Sequence, residues 1–367
     1  MSSLTTKPLP AQPPPFAIRA VLAARRRLRA AAARLAPPEL ILQEMIFGVA
    51  FAKALASLVA RDVPDRLERG AMSVDALAHA IAVDPRALHR TLRALSTAGV
   101  FTLGDDGLVE NNFLSRALLR ARPSHFREFV LYWGSSSNVA AWNDFDATLV
   151  SGATAFDRVH GRGVWDHFAA HPAEEETFAK AMMGLTLLEA PWIASQVAFQ
   201  PGEVVCDVGG GRGTLLGEIL VRHPDVRGVL YDARGVLASA RPLLAARDLL
   251  GRVTLTEGSF FVSVPTGATT YVLKNVIHDW SDAQCKHILD VVRRAATPGA
   301  RLLVIDALVE PNETEGLGPL SDLQMMIVCE GRERSRAELD ALLTASGFRR
   351  TQLHVGEPSC VIEAVAV

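Results

Sequence analysis

The most constraining feature of this chain is a glycine run, Gly209-Gly210-Gly211-Arg212-Gly213, placed directly after the apolar stretch Glu203 to Val208. Glycines at a strand-to-helix turn let the backbone approach a ligand closely, and the helix that follows opens with unpaired N–H groups. That helix continues through Leu216, Ile219, Leu220 and Arg222. A second strand, Val226 to Tyr231, ends at Asp232, where a carboxylate can accept both hydroxyls of a ribose. Three further strands, Val253 to Glu257, Thr270 to Lys274 and Arg301 to Asp306, alternate with helical segments. The rhythm specifies an α/β fold: a Rossmann-like, doubly wound and mostly parallel sheet, with its ligand over the strand ends.

Glycine spacing narrows the ligand. A dinucleotide fingerprint requires Gly-x-Gly-x-x-Gly/Ala. Counting from Gly209 the third position is Thr214, and from Gly211 it is Leu216. An NAD-dependent oxidoreductase therefore fails on spacing. The tighter Gly-x-Gly-x-Gly suits a ligand whose amino-acid part packs at the loop with no pyrophosphate to cradle. S-adenosylmethionine (SAM) is such a ligand.

The first half reads differently. At 367 residues the chain exceeds what one core usually organises, so two domains are expected. A helix is expected from Glu39 to Leu67, with Pro37-Pro38 as its start signal. Ser73 caps a short helix at Val74 to Ala78, and Asp84-Pro85 opens a second at Arg86 to Thr97, closed by Gly99. Val100 to Leu103, the turn Gly104 to Gly107, and Leu108-Val109 then read as strand, turn and strand. Helix–turn–helix followed by a hairpin is a winged-helix pattern, which can bind DNA. The net charge of -2 supplies no global attraction to nucleic acid, and reuse as a dimerisation module is the better reading.

The four cysteines, Cys206, Cys285, Cys329 and Cys360, are far apart and form no CxxC pair, which suggests buried thiols and no metal site. The proline-rich segment 1–15 lacks the apolar region of a secretory signal and is expected to be a disordered tail. Phe16 to Ala36 is basic; a membrane-surface or transit helix has this texture, but an amphipathic helix serving an oligomer contact is preferred. No apolar run is expected to approach bilayer-spanning length, and the protein is placed in the cytoplasm.

Five motifs in order carry a family resemblance. Val204 to Gly213 resembles the first motif of class I small-molecule O-methyltransferases, of the plant caffeic-acid type and the bacterial natural-product type. Val229-Leu230-Tyr231-Asp232, Glu257-Gly258-Ser259-Phe260-Phe261, Lys274 to Asp282 and Gly331-Arg332-Glu333-Arg334-Ser335 resemble that family's further motifs. The resemblance covers nearly the whole chain. It implies a helical, winged-helix dimerisation and acceptor-pocket domain over 16–185, a SAM-binding catalytic domain over 186–367, and a homodimer that binds neither nucleic acid nor membrane. Asp207, Gly209, Gly211, Gly213, Asp232, Ser259, Phe260 and Lys274 are the implied cofactor residues, for SAM and its product S-adenosylhomocysteine. Ser259 departs from the family, which places an acid there for the adenine side.

The same resemblance assigns chemistry. Methyl transfer from a sulfonium needs an aligned acceptor oxygen and removal of its proton. His278 is the implied general base, just beyond a strand's C-terminal end, with Asp306 and Glu333 as its orienting acids. The family usually has Glu at the Asp306 position, so this side chain has one methylene less reach. Asp279 holds the acceptor, backbone or cofactor. Trp142, Phe156, Phe178, Met182, Met183, Met325 and Met326 are implied for the acceptor pocket, the acceptor being a small aromatic natural product with a phenolic or enolic hydroxyl. The competing expectation is a SAM-binding relative with a non-methylating activity, a hydroxylase or decarboxylase.

Overall fold

The computed structural model describes residues 7–9, 13 and 15–367. Most of segment 1–15, the expected disordered tail, lies outside the described residues. The basic segment forms a helix, Pro15–Ala33, with exposed apolar side chains such as Phe16, Val21 and Leu28. It touches the C-terminal half where Arg19 donates to the Val355 carbonyl at 2.8 Å and Arg26 pairs with Glu315.

The helix expected over Glu39 to Leu67 is two helices, Pro38–Ala60 and Val63–Leu67. Asp62 breaks it, at a left-handed φ of 58°, with its carboxylate taken by Arg127 at 2.5 Å and by Arg120. Pro64 just beyond has no N–H to continue the earlier helix. By length and composition Pro38–Ala60 is long and apolar enough to cross a membrane, which corrects the expectation that no run approaches that length. Glu39, Glu44 and Lys53 interrupt the run to the eye but hardly dilute its mean hydropathy. Only Ala56, Leu58 and Val59 of this helix are buried, while Leu42, Met45, Ile46 and Val49 are 58% to 74% exposed.

The winged-helix pattern is present. Ser73 Oγ accepts from the Ala76 N–H at 3.2 Å and opens Val74–Ile81. Asp84 accepts from the Ala87 N–H at 2.7 Å and opens Pro85–Thr97, which buries Leu88, Leu92 and Leu95 on one face. Met72–Ser73 (β1), Thr102–Leu103 (β2) and Leu108–Glu110 (β3) form an antiparallel sheet in the order β1-β3-β2.

In the C-terminal half, Val204–Val208 (β4), Arg227–Asp232 (β5), Val253–Glu257 (β6), Thr270–Lys274 (β7), Arg301–Asp306 (β8), Phe348–His354 (β9) and Cys360–Ala366 (β10) make one sheet. Its order is β6-β5-β4-β7-β8-β10-β9, with the first five parallel and β10 antiparallel to both neighbours. Alternate residues serve opposite faces. Cys206, Val208, Tyr271, Leu273, Leu302 and Val304 pack with Ile288, Leu289 and Val292 on one side. Val205, Leu230, Val272, Leu303 and Ile305 pack with Leu216, Ile219, Leu220 and Ile193 on the other.

The helix Pro172–Gln196 ties the halves together: Ala181 joins the apolar cluster of the helical half, whereas Ala190, Ile193 and Ala194 lie under the sheet. All four cysteines are buried and unpaired.

Candidate active site

The parallel strands end on one edge, and the glycine turn lies there. Gly209, Gly211 and Gly213 all have left-handed φ, at 67°, 57° and 71°. A side chain at Gly210 would collide with the Asp207 carboxyl, whereas one at Gly211 would meet nothing within 4 Å. The turn is thus tight on its protein side and open on its outer side. Asp207 is buried; desolvation, helped by the charge of Asp232, pushes its carboxyl up to about 7, with Lys274 opposing. Asp232 is also raised by burial, although it accepts N–H bonds from Ala233 at 2.7 Å and Gly211 at 2.8 Å. Phe260 stands over Gly209, 3.4 Å from where a Cβ would lie. Ser259 is exposed and accepts from the Phe261 N–H at 3.3 Å, so the hydroxyl braces its own loop.

Lys274, at the end of β7, sits 3.3 Å from Glu189 on the helix Pro172–Gln196, both side chains being more than nine-tenths buried. Glu189 has no sequence signal beyond being an acid in the apolar C-terminal stretch of its helix. Glu189 Oε2 and Lys274 Nζ have no hydrogen-bond partner among the described residues.

His278 lies in a single 3-10 turn, Ile277–Asp279, after β7. Its Nδ1 is 3.1 Å from Glu333 Oε1 and 3.9 Å from Asp306 Oδ1, and its Nε2 is 3.5 Å from Asp279 Oδ1. An ionised carboxylate can only accept, so Nδ1 carries the hydrogen that Glu333 takes. Burial opposes charge on this imidazole. The carboxylates of Glu333, Asp279 and Asp306 outweigh it and push the pKa up to about 10. Burial also raises the acids: Asp279 reaches about 6 and Asp306 about 7, in each case against the pull of His278. Both oxygens of Asp306 lack a hydrogen-bond partner among the described residues. Glu333 is fixed further by Ser321, whose hydroxyl donates to Oε1 at 2.8 Å, and by its own N–H on Asp322 at 2.8 Å.

The segment Gly331 to Ser335 shapes this turn residue by residue. A side chain at Gly331 would collide with the His278 carbonyl oxygen, so only glycine lets the two backbones lie together. Arg334, almost fully buried, donates to the carbonyls of Ile277 at 2.7 Å and Trp280 at 2.8 Å, bracketing His278. Ser335 closes the segment with a capping box to Glu338 that starts Arg336–Ala345.

The implied acceptor residues gather in one cluster. Trp142, Phe178, Met182, Met325 and Met326 are half-buried around Tyr132, Phe156 and Phe168. Phe178 stacks on Phe168 at 4.8 Å and meets Tyr132 edge-on at 5.2 Å. Phe156 is buried behind them against His160 at 4.3 Å, and Met183 is buried on its helix. Gln324, which sequence patterning missed, joins three helices. It accepts from Trp142 Nε1 at 2.8 Å and donates to Asn138 at 2.8 Å and to the Tyr132 hydroxyl at 3.2 Å.

Comparison with known proteins agrees with this arrangement. A family model described as an O-methyltransferase domain matches residues 142–349, and an O-methyltransferase dimerisation domain matches residues 43–121. The mitomycin biosynthesis 6-O-methyltransferase of Streptomyces lavendulae is 34% identical over 87% of this chain and 91% of its own. The solved mitomycin 7-O-methyltransferase superposes with a TM-score of 0.85 at 32% identity, covering 93% of this chain and 100% of that one. An O-methyltransferase from neocarzinostatin biosynthesis, solved with SAM and 2-hydroxy-5-methyl naphthoic acid, has a TM-score of 0.77 at 27% identity. That match covers 86% of this chain and 96% of the other. The chain belongs to the O-methyltransferase family and is a SAM-dependent O-methyltransferase.

Proposed function

We propose that this enzyme methylates a phenolic or enolic hydroxyl of a small aromatic natural product, with His278 as the general base. The observation that carries the reading is the Glu333–His278 contact of 3.1 Å, which fixes Nδ1 as the protonated nitrogen and turns Nε2 toward Asp279. Once the imidazolium has lost a proton, this contact keeps the remaining hydrogen on Nδ1 and leaves Nε2 as the free nitrogen that can take a proton. Asp306 adds negative charge on the Nδ1 side and favours the imidazolium that forms. Asp279, beside Nε2, would orient the acceptor hydroxyl. The aromatic and methionine cluster around Phe178 and Met182 supplies the flat apolar wall that an aromatic ring needs.

The residues at the strand ends fit SAM. Asp232 would take the ribose hydroxyls, Phe260 would cover the adenosine, and the open side of the glycine turn at Gly211 would face the ligand. Asp207 and Lys274 would stand at the methionine end, and Ser259 would be an adenine contact weaker than an acid. When bound, that cofactor supplies a methyl group already activated on a positively charged sulfur. We further propose that residues 16–185 form the dimerisation and acceptor-pocket domain and 186–367 the catalytic domain. The exposed apolar face of Pro38–Ala60 then packs against a second copy in a homodimer working in the cytoplasm.

The test is methyl transfer from labelled SAM to a panel of phenols, naphthols, hydroxyquinones and arylamines. Label on oxygen of aromatic acceptors supports the reading. Label appearing only on nitrogen, or consumption of acceptor without transfer, overturns it.

A further inference from the structure

The cofactor's amino-acid end carries a carboxylate, and the strand edge offers two buried cations to meet it. Lys274 is committed to Glu189 at 3.3 Å, and it also faces the carboxyls of Asp207 and Asp306. The other cation is Arg212, inside the glycine turn. Its side chain is 8% exposed and pairs through Nη2 with Glu176 of the helix Pro172–Gln196. Its Nε is buried with no hydrogen-bond partner among the described residues.

The pairing is lopsided. Glu176 is 44% exposed and has a second cation, Lys180, at 3.0 Å, so it loses little by giving Arg212 up. Arg212 feels the charge of Glu175 as well, but its buried Nε–H has no acceptor among the described residues, and a buried N–H left so is costly. A carboxylate approaching a guanidinium side-on takes an Nε and an Nη hydrogen together. Here that edge has one hydrogen unclaimed and the other on a replaceable partner.

We propose that Arg212 anchors the carboxylate of the cofactor's methionine moiety and that Glu176 holds the guanidinium until the cofactor arrives. This rests on the methyltransferase reading above. It gives cofactor binding a mechanical link to the acceptor wall, since Glu176 lies on the same helix as Phe178 and Met182. Release of Glu176 removes one restraint near the start of that helix, which Glu174 still ties to Ser137 and His167.

Calorimetric titration tests it with three ligands: S-adenosylhomocysteine, its decarboxylated analogue, and methylthioadenosine, which lacks the whole amino-acid end. For Arg212→Gln the expected result is an affinity loss of about 10- to 100-fold for S-adenosylhomocysteine. The other two ligands should bind as they do to the wild type, and so also report an intact fold. Glu176→Gln should bind S-adenosylhomocysteine more tightly than the wild type. Equal losses for all three ligands, or no loss for S-adenosylhomocysteine, overturn the role of Arg212. Failure of the wild type to bind any of them would instead overturn the cofactor assignment beneath it.

Discussion

Glu333 accepts a hydrogen bond from Nδ1 of His278 at 3.1 Å, and the next residue, Arg334, grips the carbonyls on either side of that histidine. One short segment therefore sets both the ring and the backbone that carries it. Glu333 reads the tautomer, Arg334 fixes the turn, and Gly331 permits the close approach. A general base must be held to within a few tenths of an ångström to be effective, and this segment supplies the restraint.

Replacing His278 by Ala should leave S-adenosylhomocysteine affinity within about threefold of wild type and lower kcat by about 10²- to 10⁴-fold. The polar partners of the imidazole are Glu333, Asp279 and Asp306, none of them in the glycine turn, which is why binding should survive. Calorimetry and steady-state rates on the same preparation separate the two effects. Parallel loss of affinity and rate would make His278 a structural residue.

The rate should rise with pH. His278 is raised to about 10 by the surrounding carboxylates, so the free enzyme holds the imidazolium through neutrality and gains the base form only as protons leave. The linked stability has the same sign: it is fully present below the unfolded value near 6.5 and is lost as pH rises through the folded value. Asp306→Asn removes a negative charge 3.9 Å from Nδ1 and should move the ascending limb of kcat/KM to lower pH. Profiles of wild type and variant that overlay would exclude Asp306 from tuning the base.

What the sequence revealed follows the range of the interactions involved. The glycine turn and Asp232 stand at strand ends, where local patterning and turn chemistry already confine them, whereas the role of His278 is implied by the family resemblance. Glu189, Arg212 and Gln324 acquire partners only when distant helices pack, and nothing in their neighbourhoods distinguishes a buried ion pair from a surface one. Two strands, Phe348–His354 and Cys360–Ala366, also escaped expectation. The first is an edge strand whose Arg349, Arg350, Thr351 and Gln352 are exposed and lack the apolar alternation that marks a strand. Such charge keeps an open edge from pairing with another chain. The break at Asp62 was equally hidden, because the arginines that hold its carboxylate come from a later part of the chain.

Gly331→Ala isolates the role of that backbone approach. The added methyl would meet the His278 carbonyl and the Asp279 and Trp280 backbone, none of which is a flexible side chain. Displacing the turn should lower kcat by at least about tenfold and cost about 1–3 kcal/mol of stability, as overpacking does. Calorimetric affinity for S-adenosylhomocysteine should change little. Wild-type kcat in this variant would mean that the turn tolerates displacement without consequence.

The exposed face of Pro38–Ala60 makes a last prediction. Met45, Ile46 and Val49 are each at least 70% exposed, on a helix that overlaps the stretch matched by the dimerisation model. Burying one such side chain contributes roughly 1.5–3 kcal/mol, so a row of them against a second copy is enough to drive association. A bilayer is the rival for the same surface, since length and composition would also allow insertion. Met45→Asp with Val49→Asp places two charges per chain in either setting. Under the dimer reading, wild-type protein sediments at twice the mass of one chain and stays in solution beside lipid vesicles, while the double variant sediments as a single chain. A wild type that is monomeric in solution, or that moves onto the vesicles, would remove the homodimer from this account.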